Sequence, residues 1–313
     1  MKSKSVTIKE IANRLGIAVS TVSRALHDAY DVSPETRKKV LVMAEELDYR
    51  PNPYAVNLVT QRTNIIGVLL PEIATHYFST VVKGIQDVAN NVGYNVMFFI
   101  SNESITREKY ILNQLNNNSL DGLLASVSAE TDSSEHFIKL MERGLPIVFF
   151  DRVRNDMLTS KVIQDDYRGA FNATTHLIQQ GYKRIAHLAG PKNIDAAERR
   201  LQGYLDALEQ NNLPQKKEYI IHSGFTQEDG LLDVTKLLGI KPLPDAIFAV
   251  NDRKAIGAVL GLKRYGYKIP QHIGVVGFLN SPSSEIISPS LTTIEQAAYE
   301  IGVKKLSVII RTH

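Results

Sequence analysis

Arg24 is the residue near the front of the chain best suited to reading bases. It follows Val19-Ser20-Thr21-Val22-Ser23, and a guanidinium can bond bidentately to guanine O6 and N7. When a helix enters a major groove by its N-terminal end, residues of its first turns reach the base edges. That places Val19 and Ser20 beside Arg24 as candidates, Val19 with apolar contact alone, for example to a thymine methyl. Thr21 and Ser23 suit phosphate oxygens, which position a protein without specifying sequence. The competing reading of Arg24 is an exposed helix cation.

Such chemistry needs the helix presented on a small rigid frame, and the flanking residues predict one. Thr7-Ile8-Lys9-Glu10 reads as a capping box, the hydroxyl and carboxylate each satisfying the other residue's orphan amide. It opens a helix from about Ile8 to Leu15 with Ile8, Ile11, Ala12 and Leu15 on one face. Gly16 permits a tight turn, and a second helix follows from Val19 to Leu26, burying Val22, Ala25 and Leu26. Ser33-Pro34 sets an N-cap before a proline at the first helical position, starting a third helix to about Leu47 with Val40, Ala44 and Leu47 inward. The layout is a helix-turn-helix. Asn52-Pro53 repeats the cap-plus-proline signal for a shorter helix over 53–59. Isolated helices under ~12 residues are marginal in water, so disorder in the free protein, and helix on a partner, is expected there.

Charge placement agrees with a nucleic-acid partner. The chain has 313 residues and a formal net charge of +3. Residues 1–62 carry ten Lys/Arg against seven Asp/Glu, which accounts for the whole excess, and residues 1–27 carry five against one, Glu10. Phosphate neutralisation needs that local bias. With no cysteine, disulfides and thiolate metal sites are excluded. No apolar run of ~18 residues suggests a membrane span, and Met1-Lys2-Ser3-Lys4 leads into an amphipathic helix rather than a signal peptide. The expected location is the cytoplasm.

Beyond Thr63 the pattern changes. Apolar runs at Ile65–Leu70, Asn95–Ile100, Gly122–Ser126, Pro146–Phe150, Arg184–Leu188, Tyr219–His222, Ala246–Val250 and Ile273–Gly277 alternate with helical stretches such as 78–92 and 104–116. Apolar strands with helices between them predict parallel sheets covered on both faces. Two doubly wound subdomains fit better than the alternative, a closed eight-stranded barrel. The break between the halves is expected near Ile163–Asp166, after the polar loop Arg152–Ser160. The fold class is therefore α/β: a small all-α helix-turn-helix headpiece (1–49), a hinge (50–62) and a two-subdomain core (63–313). Within the core, the N-subdomain is expected over about 63–163 and 292–313, and the C-subdomain over about 164–291.

The chain resembles the lac repressor/gal repressor family of bacterial transcription regulators over essentially its full length. The resemblance rests on Val6-Thr7-Ile8-Lys9-Glu10-Ile11-Ala12, Thr21-Val22-Ser23-Arg24, Val32-Ser33-Pro34-Glu35-Thr36-Arg37 and Tyr49-Arg50-Pro51-Asn52. It continues through Asp121-Gly122-Leu123-Leu124, Asp151-Arg152, Ala189-Gly190-Pro191, Arg200-Leu201-Gln202-Gly203-Tyr204, Asn251-Asp252, Val275-Val276-Gly277-Phe278 and Pro289-Ser290-Leu291-Thr292-Thr293-Ile294. It implies a DNA-binding headpiece, a hinge helix, and a core like the periplasmic sugar-binding proteins with a small effector between its subdomains. On the DNA side it adds Thr7, Asn52, Ala55 and Leu58, the last as a wedge that opens a central base step in the minor groove; packing against a dimer mate is the other role open to Leu58. Two departures weaken that side. Ala18 replaces the usual Ser cap of the second helix, a change that typically costs ~1 kcal/mol, and Val56 stands where many relatives carry a basic residue.

For the effector the resemblance implies Tyr77, Phe78, Asp151, Asp165, Arg200, Phe225 and Asn251. Aromatic faces stack on a sugar ring, while Asp and Arg take paired hydroxyls or a charged substituent. For the aromatics the competing role is ordinary core, and for Arg200 a surface cation. Asp252 is read as capping its helix. Leu279 is the largest departure: relatives carry an Asp there that holds effector hydroxyls, and Asn280 could substitute only with a shifted loop. The loss implies a larger or partly apolar ligand, such as an oligosaccharide or glycoside.

The reading that follows is a homodimeric repressor on a pseudo-palindromic operator, switched by a carbohydrate-like effector, with no cofactor and no catalysis. There is no Gly-rich phosphate loop before a helix, no metal-spaced His pair and no nucleophile elbow, and a lone strand histidine such as His187 reads as core. A transport solute-binding protein would lack the headpiece. A regulator answering to a protein partner stays open. The absence of a leucine heptad tail before His313 points to a dimer.

Overall fold

In the computed structural model the described residues are 6–50, 62–115 and 119–311. The chain divides into two units, Met1–Thr63 and Asn64–His313.

The first unit is three helices: α1 (Ile8–Leu15), α2 (Val19–Leu26) and α3 (Pro34–Glu46). Their apolar faces meet in one core of Ile11, Ala12, Val22, Ala25, Val32, Val40 and Ala44. Gly16 ends α1 at φ 65, a left-handed conformation that glycine adopts without a Cβ penalty. Ser33 caps α3 by accepting from the Thr36 amide, with Pro34 in the first turn. The capping box expected at α1 does not form: Thr7 is the N-cap without a side-chain bond, and Glu10 turns instead to Arg14 one turn on, at 3.3 Å. Both groups are exposed, so this is a weak pair.

The second unit holds two five-stranded, wholly parallel sheets. The first is built from β1 (Ile65–Leu70), β2 (Asn95–Ile100), β3 (Gly122–Ala125), β4 (Ile147–Phe150) and β5 (Lys161–Val162), in the order β2-β1-β3-β4-β5. The second is built from β6 (Ile185–Ala189), β7 (Ile220–His222), β8 (Ala246–Ala249), β9 (Gly274–Leu279) and β10 (Thr292–Glu295), in the order β7-β6-β8-β9-β10. The two orders are the same doubly wound topology, and no barrel closes. Helices cover both faces of each sheet, which is why β1, β3, β4, β6 and β8 are apolar at nearly every position.

The helices are α4 (His76–Asn91), α5 (Ile105–Gln114), α6 (Glu135–Glu142), α7 (Asp166–Gln179), α8 (Asp195–Gln210), α9 (Gln227–Leu238), α10 (Asp252–Arg264), the short α11 (Ser283–Ile286) and α12 (Ala298–Arg311). Two findings revise the expected layout. The short strands β5 and β10 were not anticipated. Residues 292–295, expected in the first subdomain, pair with β9 in the second sheet. The chain returns to the first sheet only with α12, whose Gly302 packs against the backbone of α4 near Gly84.

In parallel sheets of this order, ligands sit beyond the carboxyl ends of the strands, where the winding direction reverses. The segments leaving β1, β4, β6, β7, β8 and β9 all converge on one cleft between the two lobes.

Candidate functional site

In the headpiece the start of α2 is an open face. Val19 and Ser20 are exposed and Thr21 and Ser23 half-buried, while Val22 and Ala25 point into the core. This is the face expected to meet base edges. Ala18 provides no side-chain cap there, so its carbonyl alone receives the first amides, those of Thr21 and Val22. Arg24 is exposed and ion-paired with Asp31, a partner that sequence reasoning did not identify. A second pair joins Arg37 to Asp28, and Arg37 also donates to the Ala29 carbonyl at 2.7 Å. These contacts tether the 27–33 segment to both α2 and α3. Thr7 lies exposed at the start of α1. Asn52, Ala55, Leu58 and the expected helix over 53–59 lie outside the described residues.

In the core, six of the seven expected effector residues line one cleft: Tyr77, Phe78, Asp151, Arg200, Phe225 and Asn251. Thr75 caps α4 by accepting from the Phe78 amide, which puts Tyr77 and Phe78 in the first turn of that helix, edge to face at 5.3 Å. Both are buried, and the Tyr77 hydroxyl faces Asp151. Burial first, and then the negative charge of Asp151, push that phenol well above its ordinary pKa, so it stays a neutral donor. Asp151 itself sits just past β4 at φ 56, a left-handed position that Asp and Asn tolerate better than most residues.

Asp165 is not in this group. It is exposed and caps α7 by accepting from the Arg168 amide at 2.9 Å. Its neighbour Asp166 is the carboxylate that faces Arg200. The reason is helical phase: Asp166 shares a face with buried Ala170, Ala173, Thr174 and Leu177, and Asp165 precedes the helix. That periodicity was available in the sequence and would have corrected the choice by one residue.

Arg200 reaches the cleft already engaged. Its Nε and Nη2 donate to one Asp166 oxygen at 2.8 and 2.7 Å, its Nη1 donates to the Val250 carbonyl at 2.7 Å, and its guanidinium stacks on the Phe278 ring at 4.0 Å. Three of its five N–H groups are thus used, and its first task is to hold the floor of the cleft. Burial raises the pKa of Asp166 against the opposing pull of Arg200.

Four carboxylate or guanidinium residues of the lining were missing from the expected set: Glu72, Arg152, Arg253 and Asp252. Arg152 donates to both oxygens of Glu103 at 2.7 and 2.8 Å and lies 4.8 Å from the Phe225 ring of the opposite lobe. Arg253 spans the cleft to both oxygens of Glu72 at 3.0 Å. Two further bridges cross it, from Asn155 to Asp195 at 2.7 Å and from Asn193 to the Ala129 carbonyl. Asp252 does not cap α10. Asn251 does, accepting from the Lys254 amide at 2.8 Å while donating to the Phe225 carbonyl at 3.1 Å. Asp252, one residue on, is fully buried and receives the Ser281 amide and the Thr293 hydroxyl, each at 2.6 Å.

Leu279 ends β9 at φ 119 and presents its side chain to the cleft. Asn280 is exposed, outside the lining, with its amide on Thr293 Oγ1 at 3.2 Å. It does not replace the carboxylate that the resemblance led one to expect at position 279.

The cleft can therefore take a polar molecule between aromatic and aliphatic walls, and the headpiece can present α2 to a groove. Comparison with known proteins bears on both. Residues 7–52 match the model "Bacterial regulatory proteins, lacI family", and residues 63–312 match "Periplasmic binding proteins and sugar binding domain of LacI family". Catabolite control protein A of Priestia megaterium is 31% identical over 309 residues, 98% of this chain and 92% of that protein. The crystal structure of the lac repressor dimer bound to operator and the anti-inducer ONPF superposes with a TM-score of 0.86 at 26% identity, covering 99% of this chain and 93% of that one. The complex of the transcriptional regulator CelR with cellobiose superposes with a TM-score of 0.74 at 27% identity, covering 97% and 92%. With a matching headpiece and a matching effector core in one continuous chain, this protein belongs to the lacI family of bacterial regulatory proteins.

Proposed function

We propose that this chain is a repressor that binds a pseudo-palindromic operator as a homodimer and releases or grips it according to a small ligand in the interlobe cleft. The observation that carries the reading is the pairing, in one chain, of an exposed α2 face with an interlobe cleft lined by Tyr77, Phe78, Asp151, Arg200, Phe225 and Asn251. A two-fold dimer presents two recognition helices to mirrored half-sites, as the lac repressor dimer does on its operator. In this reading Val19, Ser20 and Arg24 contact bases, Thr7, Thr21 and Ser23 contact the backbone, and Asn52, Ala55 and Leu58 engage the minor groove. Tyr77, Phe78, Asp151, Arg200, Phe225 and Asn251 form the effector site, with Asp166 in place of Asp165 behind it. The chemistry is recognition, without a catalytic step. Among the described residues no helix is long and apolar enough to cross a membrane, and the proposed location is the bacterial cytoplasm, at the nucleoid.

The ligand proposed is carbohydrate-like. CelR binds cellobiose, and the apolar Leu279 wall suits a disaccharide or glycoside better than a bare vicinal diol, whose hydroxyls would be stranded there. The test has two arms. Fluorescence anisotropy on genomic fragments should find a near-palindromic site whose affinity falls steeply with salt, and Arg24→Ala should lose discrimination on it. Thermal-shift screening of the full chain against sugars and glycosides should find a ligand that alters operator affinity. Unchanged selectivity in Arg24→Ala would overturn the headpiece assignment, and a ligand whose effect survives Phe225→Ala and Tyr77→Phe would overturn the cleft.

A further inference from the structure

The charges around the cleft do not cancel. Among the described lining residues, every guanidinium already faces a carboxylate: Arg152 with Glu103, Arg200 with Asp166, Arg253 with Glu72. Asp252 has no cation, but the Ser281 amide and the Thr293 hydroxyl fill it. Asp151 has no cation and no such pair of donors. What lies beside it is the buried phenol of Tyr77, which faces Asp151 as a neutral hydrogen-bond donor. The cleft therefore holds one half-buried carboxylate without a cation, next to one neutral phenol.

An anionic ligand is a poor match for this arrangement. To reach a guanidinium, a phosphate or carboxylate would have to displace Glu103, Asp166 or Glu72, leaving that carboxylate stranded in a cleft of low polarity. A neutral polyol can donate to Asp151, but it leaves the charge uncompensated. A protonated amine does both, and charge-assisted hydrogen bonds are roughly twice as strong as neutral ones. The neighbouring phenol, whose O–H is directed to Asp151, keeps an oxygen that can accept from the same ammonium or a hydroxyl.

We infer that the cleft takes a hydroxylated amine, an amino sugar or amino glycoside, with Asp151 as counter-ion to the ammonium group and the Tyr77 hydroxyl beside it. This rests on the cleft being the effector site, as proposed above. It narrows the ligand from carbohydrate-like to cationic carbohydrate, and it sets phosphorylated sugars against the cleft.

Cellobiose, the β-1,4-linked diglucosamine in which each 2-hydroxyl is an amine, and its N,N′-diacetyl form make a matched set in size and linkage, two of them neutral. Calorimetry of the full chain at slightly acid pH should show the diamine binding about tenfold or more tightly than either neutral disaccharide. Asp151→Asn should abolish that preference. Asn suits the left-handed backbone there, so the variant should keep the parent's melting temperature and its binding to non-specific duplex DNA. Tyr77→Phe, which removes only the hydroxyl, should weaken the diamine more than cellobiose. Preference for a neutral disaccharide, or a preference for the diamine that survives Asp151→Asn, overturns the inference and leaves the cleft reading standing. Binding of none of the three also overturns it, and the sugar and glycoside screen then decides separately whether the cleft binds any effector.

Discussion

Arg24 shows how a single contact changes what a residue can be expected to do. An exposed arginine on a recognition helix attracts any phosphate, and that attraction carries no sequence information. Asp31 lies against this guanidinium. An exposed ion pair contributes little stability, about 0–1 kcal/mol, so its effect belongs to recognition. It offsets the charge that would otherwise favour non-specific DNA, and it limits the directions in which the fork can point. Asp31→Asn should therefore raise affinity for random duplex more than for the best operator, and steepen the salt dependence of non-specific binding by about one counterion. Anisotropy titrations on both duplexes across a salt series would measure it. Equal changes on the two would mean that Asp31 acts only as a diffuse negative charge. The sequence displayed Arg24 but not this partner, because Asp31 lies outside the helix and no periodicity connects them. Arg200 and Asp166, by contrast, both sit on the buried faces of their helices, so their meeting was legible to anyone who set the start of α7 correctly. Glu72 and Arg253 are 181 residues apart in different lobes, and nothing local marks them as partners.

At the scale of elements, the apolar runs and caps located most strands and the first helices to within a residue or two, because parallel strands buried on both faces leave a continuous apolar signature. The strands that escaped are those without it: β5 has two residues, and β10 reads Thr-Thr-Ile-Glu, half-buried or exposed throughout. What the patterns did not show is how closely helices approach one another. A Cβ on Gly257 of α10 would run into the Gln227 carbonyl at the start of α9, and one on Gly230 of α9 would meet the Lys254 carbonyl. These two helices pack backbone to backbone, and backbone atoms cannot swing aside as a side-chain end can. Alanine is the better helix former by about 1 kcal/mol, yet overpacking a close contact costs about 1–3 kcal/mol, so Gly257→Ala should be destabilising. Scaled to a unit of this size, a net loss of up to about 2 kcal/mol lowers the melting temperature by up to roughly 8 °C. Gly239, at the end of α9, is the control. Its φ is −79, and the nearest atom to an added Cβ is the Lys236 carbonyl at 3.4 Å, so Gly239→Ala should be neutral or slightly stabilising. If calorimetry gives the two variants the same melting temperature, close helix packing is not what holds α9 to α10.

Part of the second unit's response to acid follows from a residue buried in its second sheet and outside the cleft lining. His187 is fully buried in β6, stacked between Phe248 at 4.7 Å and Tyr204 at 5.1 Å, with Nδ1 3.0 Å from the Phe248 carbonyl. A carbonyl only accepts, so Nδ1 carries the hydrogen and the ring is neutral. Burial is the main cause that pushes its pKa down from 6.5 to about 3; the hydrogen bond to Phe248 opposes it, and the charge of Lys254 adds to it. The sign follows from proton counting. Between about pH 3 and 6.5 the unfolded chain binds a proton at this histidine that the folded chain does not, so folding stability rises with pH across that window. The contribution is fully present above 6.5, declines as pH falls below it, and is gone near pH 3. At pH 5, one and a half units into the window, the loss is about 2 kcal/mol. Carboxylates titrate in the unfolded chain near pH 4, so the interval from pH 7 to 5 separates the histidine from most of them. Urea unfolding of the parent should be about 2 kcal/mol less favourable to the fold at pH 5 than at pH 7, beyond whatever the other histidines add. His187→Gln keeps an N–H for the Phe248 carbonyl but cannot take up a proton in this range. It should cost stability at pH 7 through lost stacking, yet reduce the difference between the two pH values by about that same 2 kcal/mol. An undiminished pH difference in His187→Gln would mean that the acid sensitivity of the core arises elsewhere, and that His187 is already protonated or solvated in the folded protein.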